Sequence, residues 1–163
     1  MQLDKSYEII RELLQQVALV GRARFDDALK KPANSGYLDP KQRVELIKTF
    51  GTIRLAIGRQ AGHTDAAIDL AKTFYQDQKV AFVCPCTDFL KKLQSKVGSS
   101  ENILVRPWND AESLQKENVR AIFVDPGPHA GSKARDAIYW SAAKAMDAGD
   151  NTYYPVLVYF IGS

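Results

Sequence analysis

The sequence predicts an α/β fold, a mainly parallel sheet of about five strands with helices on both faces, preceded by an N-terminal helical segment. Three observations lead there. After Gly51, short apolar runs rich in Val, Ile, Phe or Tyr alternate with stretches of helical length and composition. Before Gly51, apolar residues recur at helical rather than alternating spacing. With 163 residues and 45% hydrophobic content, the chain can bury one core but is too short for two domains of ordinary size.

Residues 5 to 31 place Ile9, Ile10, Leu13, Leu14, Val17 and Val20 on helical faces, and the pattern continues more weakly through Phe25, Ala28 and Leu29. One amphipathic helix or a broken pair is expected. The segment KPANSGYLDP gathers Pro, Asn, Ser and Gly into a loop, and Asp39-Pro40 supplies an N-cap and first-turn pair for a helix from Pro40 to about Phe50. This divides the single compact unit into a helical segment, 1–38, and an α/β core, 39–163. Strands are expected at 53–57, 80–83, 103–105, 121–124 and 156–161, with helices at 64–77, 87–97, 109–117 and 133–148. In such sheets ligands bind at the carboxyl ends of strands, near a topological switch.

The net charge of +3 is compatible with nucleic-acid contact but far below the density of a dedicated nucleic-acid-binding surface. Two cysteines one residue apart, Cys84 and Cys86, make no disulfide framework and suit a reducing cytoplasm. No apolar run approaches the roughly 20 residues of a membrane span, and the N-terminus reads as lacking a signal peptide. Cys84, Cys86, His63 and His129 match no familiar zinc spacing, so no zinc is expected. Lys91, Lys92 and Lys96 make a basic helix face that would suit nucleic acid or simply solvent.

Three loops that follow expected strands carry unusual chemistry. The first, IGRQAGHT at 57–64, reads as GxxxxGK[ST] with substitutions: Gly62 and Thr64 are in register, His63 stands at the Lys position, and Ile57 replaces the first Gly with Gly58 one place later. Backbone N–H groups of Gly58, Arg59, Gln60, Ala61 and Gly62, with the following helix N-terminus, could converge on an anion. A tight strand-to-helix turn is the plainer alternative. The second is AIFVDPGPH, where Asp125 ends a buried strand and could hold a magnesium shell together with Thr64; an Asp-Pro-Gly turn is again the structural alternative. In the third, VLVYFIGS, Gly162 and Ser163 close the last strand and could sense a bound nucleotide, or simply end it.

Order and spacing of these pieces resemble the nucleotide-binding core of the large terminase subunits of tailed phages and, more broadly, helicase-like P-loop NTPases of RecA-like fold. Pro40-Lys41-Gln42 resembles the Pro-x-Gln element, 58–64 the terminase form of the phosphate loop, Cys84-Pro85-Cys86-Thr87 the strand-Pro-Thr motif, Asp125 the Walker B acid, and Ile161-Gly162-Ser163 the motif that follows it. The resemblance covers 40–163. It implies a nucleotide such as ATP with Mg²⁺, phosphates on 58–64, magnesium on Thr64 and Asp125, and the base near Gln42.

The departures bear on activity. His63 exchanges a permanent charge on a long stem for a shorter imidazole that is partly neutral near pH 7. Arg59, in the same loop, could replace some of that charge. Pro126 occupies the position of the water-positioning Glu. The length is expected to leave no room for a nuclease domain of the terminase kind. The leading expectation is therefore a degenerate, phage-derived P-loop protein, cytoplasmic (in the host cytoplasm if viral), that binds a nucleotide or polyphosphate with weak or absent hydrolysis. Two alternatives stand beside it: an interaction protein that binds a host, virion or self partner through its N-terminal helices, and an NTPase completed by residues of a neighbouring subunit.

Overall fold

The computed structural model describes residues 2–56, 62–85, 87–127 and 130–162, with the backbone alone at 2–4, 6 and 87. Helices α1 (Gln2–Leu29), α2 (Pro40–Phe50), α3 (His63–Thr73), α4 (Thr87–Val97) and α5 (Ser132–Ala145) surround strands β1 (Thr52–Leu55), β2 (Val80–Cys84), β3 (Ile103–Pro107), β4 (Ala121–Val124) and β7 (Leu157–Ile161). These five strands form one parallel sheet in the order β1-β7-β4-β2-β3. A small hairpin, β5 (Asp147–Gly149) with β6 (Thr152–Tyr153), completes the inventory. The α/β architecture with an N-terminal helix is thus present, in an arrangement compatible with Rossmann-like and RecA-like folds.

Right-handed crossovers explain the layering. The steps β1 to β2 and β2 to β3 run one way across the sheet, and β3 to β4 and β4 to β7 run back, so their connections fall on opposite faces. Accordingly α1 packs on α3, and α3 on α4, while α2 and the 3₁₀ segment Trp108–Lys116 pack on α5. α1 is one continuous helix that buries Ile10, Leu14, Ala18, Phe25 and Ala28. Parallel strands covered on both faces read as unbroken apolar runs, and β2, β4 and β7 are buried at every position. Their register aligns Phe82, Phe123 and Tyr159 across three neighbouring strands, with ring centroids 4.7 and 4.5 Å apart.

Strand boundaries differ from the sequence reading by at most two residues, and the more telling differences fall at three helices. The expected helix at 109–117 is a 3₁₀ segment, broken at Asp110. Ser113 Oγ donates to the Asp110 carbonyl and Ser141 Oγ to the Ala111 carbonyl, so side chains take acceptors that an α-helix would need. α3 stops at Thr73 rather than 77, where Tyr75 turns into the core and bonds Tyr159 hydroxyl to hydroxyl at 2.7 Å. α5 stops at Ala145 rather than 148 because Asp150 and Asn151 adopt positive φ, the geometry of a tight hairpin turn.

Candidate functional site

The sheet order makes neighbours of the three strands whose loops were singled out. β1, β7 and β4 lie side by side, so the segments after Leu55, Ile161 and Val124 share the carboxyl edge. The helix after β1 lies on one face of the sheet and the helix after β4 on the other, the arrangement of a topological switch point.

At its center, Thr64 Oγ1 donates to Asp125 Oδ2 at 2.5 Å, across 61 positions of sequence. Thr64 sits in the first turn of α3 and Asp125 directly follows β4. Gly62 is the N-cap of α3, with φ at +87°, a conformation that a side chain would strain. It brings no capping side chain to the first-turn N–H groups of α3. Gly162 stands on the other side of the carboxylate: a Cβ there would lie 3.1 Å from Asp125 Oδ1.

Asp125 is buried, and that desolvation pushes its carboxyl above the ordinary range, against the opposing pull of the Thr64 hydroxyl and the positive charge of Lys96. Ionising it without a further positive partner is therefore costly. A hydroxyl and a carboxylate are hard oxygen donors, and magnesium is commonly held by one or two protein oxygens while water and phosphate fill the rest. The pair fits that ion. Among the described residues no group of three or more His, Cys, Asp or Glu side chains could hold a metal by itself.

His63 is buried at the first position of α3, and burial lowers its pKa below the ordinary imidazole value. A neutral ring suits a helix N-terminus, where a cation would oppose the macrodipole. It does not carry the permanent charge that a Lys would bring there. The other expected site residues distribute unevenly. Gly58, Arg59, Gln60, Ala61 and Ser163 lie outside the described residues, as do Cys86 and His129. Gln42 is exposed in the first turn of α2, where its Oε1 accepts from the Asp39 N–H and its own N–H donates to Asp39 Oδ1, both at 2.9 Å. This capping box gives Gln42 a structural role. Lys91, Lys92 and Lys96 are exposed on α4, and Lys96 Nζ reaches Asp65 Oδ1 at 3.1 Å.

Tyr7 joins the neighbourhood from α1 and was not singled out in the sequence. Its Cβ would lie 3.4 Å from a Cβ added at Gly62. No local signal predicts a contact between residues so far apart on the chain. No helix of the described residues is long and apolar enough to cross a membrane. Compared with known protein families and with curated proteins, the chain matches no family model and no curated sequence.

Proposed function

We propose that the protein binds a nucleotide or another polyphosphate together with magnesium at the carboxyl edge of β1, β7 and β4, and that it hydrolyses the ligand slowly or not at all. The hydrogen bond between Thr64 and Asp125 carries this reading, because it joins the two residues that motif order assigned to the metal. Gly62, at the N-cap of α3, orients first-turn amides toward the phosphates. Thr64 and Asp125 hold magnesium, which screens phosphate charge when bound. The neutral His63 supplies no permanent cation, and Pro126 offers no base to orient water, so weak or absent turnover follows. The likeness to a terminase ATPase core rests on motif order and supports the same ligand class.

Calorimetry with ATP, GTP and ADP in the presence of magnesium tests the proposal. Binding that is lost in Thr64→Val and in Gly62→Arg is expected. Absence of binding at millimolar nucleotide, or affinity indifferent to both changes, would overturn it.

A second reading has its own observation. Ile9, Leu13, Leu19 and Val20 are exposed on α1, at 64%, 37%, 55% and 56%, opposite its buried stripe. Such a patch suits a protein partner or self-association. Because α1 also fills the core, the informative variant is Ile9→Lys with Val20→Lys rather than truncation: loss of a partner with nucleotide affinity unchanged would favour an interaction role.

A further inference from the structure

We propose that a second cavity, between α2, β1 and the first two turns of α5, binds the phosphate group of a small phosphate monoester. It measures about 350 Å³ and is lined by Lys48, Arg54, Ser132, Arg135, Asp136 and Tyr139. Neither Thr64 nor Asp125 lines it, so it stands or falls separately from the metal-linked site.

Charge is the first argument. Among the described lining residues, Lys48, Arg54 and Arg135 converge on one space with Asp136 as the only acidic one, which leaves two positive charges in excess. Among the described residues the ion pairs are Arg11–Asp69, Lys79–Glu117 and Lys96–Asp65, so none of the three cations has a carboxylate within 4.0 Å. Two of the three lie against rings instead: Lys48 Nζ is 5.5 Å from the centroid of Tyr139, and the Arg54 guanidinium is 4.6 Å from that of Phe160. Ring contacts fix the direction of these groups without neutralising them.

The second argument is an unused donor. Among the described residues, Arg135 Nε is buried with no hydrogen-bond partner, although a buried N–H is ordinarily satisfied. The same guanidinium lines the cavity, and its planar fork matches phosphate geometry. α5 adds to the same space. Its N-cap is Gly131, which brings no capping side chain, and Ser132 places a hydroxyl at the mouth of the helix.

The excess of two charges matches a phosphate dianion, and the volume lies in the range of small-molecule sites. A nucleic-acid backbone offers one charge per phosphate and needs an open track, which a cavity bounded by two helices and an edge strand does not provide.

The test follows the Arg135 Nε–H resonance by NMR during titration with inorganic phosphate and with adenosine monophosphate, at ionic strength fixed with chloride. A saturable shift is expected with both, weakened at least tenfold in Arg54→Gln and unchanged in Thr64→Val. Arg54 is exposed on an edge strand, so its replacement tests the cavity without disturbing the core. Calorimetry on Arg135→Gln should show the same loss. A resonance that ignores millimolar phosphate, a shift that survives Arg54→Gln, or a response to single-stranded DNA alone would each overturn the proposal. A shift abolished by Thr64→Val would place the anion at the other site and overturn it as well.

Discussion

The two edges of the sheet use their polar groups in opposite ways. At the amino edge they are consumed inside the fold. Tyr75 and Tyr159 bond to one another at 2.7 Å, Arg120 Nη1 donates to the Ala145 carbonyl at 3.0 Å, and Lys79 pairs with Glu117 at 2.8 Å. At the carboxyl edge the groups face outward demand. Asp125 is buried with a raised pKa, Arg135 Nε has no partner among the described residues, and the N-caps of α3 and α5 are glycines. Helix direction accounts for the difference. α3 and α5 follow parallel strands, so both begin at the carboxyl edge and gather their N–H ends there, while their carbonyl ends collect at the amino edge, where Arg120 caps one of them. The fold thus gathers the N–H ends of α3 and α5 on one side before any particular side chain is considered.

The sharpest way to break this comparison is to damage what joins the edges. Phe123 is fully buried and stacked between Phe82 and Tyr159, so Phe123→Ala should cost about 3–5 kcal/mol by chemical denaturation and impair both edges together. Next in size is a change confined to the amino edge. Tyr75→Phe strands the Tyr159 hydroxyl, which should cost about 1–3 kcal/mol while leaving ligand affinity intact in the folded protein. Measurable loss of nucleotide affinity there would erase the distinction between the edges.

The smallest expected effect on stability is the most informative in sign. Because the folded-state pKa of Asp125 lies above its unfolded value, its ionisation works against folding. That cost is absent in acid, appears as pH rises above the ordinary carboxylate range, and is complete once pH exceeds the folded-state pKa. Asp125→Asn should therefore gain stability on the order of 1 kcal/mol at neutral pH and nothing in acid, measured by thermal unfolding across pH, while losing magnesium-dependent binding. A stability loss at neutral pH would mean that the carboxylate serves the fold rather than a ligand.

Local chemistry made much of this fold readable. Asp39-Pro40 marked the start of α2 to the residue, and the four apolar residues before Asp125 marked β4. Thr64 and Asp125 stand in separate stretches of sequence, and the fold brings them together in one hydrogen bond. Where long-range contacts decide, the sequence is silent. The 3₁₀ form of 108–116 depends on Ser141, which is 30 positions from the carbonyl it binds. Gln42 shows a different limit. Pro-x-Gln resembles a base-contact element, and the same residues with Asp39 spell a capping box, which the structure shows. The cavity beside α5 had no signature, since Lys48, Arg54 and Arg135 come from three separate elements and meet only through packing.

The most direct test of the central claim replaces magnesium by Mn²⁺ and follows electron paramagnetic resonance during titration with ATP. One ATP-dependent bound Mn²⁺ per chain is expected in the native protein, lost in Thr64→Val and in Asp125→Asn, and retained in Arg135→Gln. Bound Mn²⁺ that persists after both Thr64 and Asp125 are changed would contradict the account.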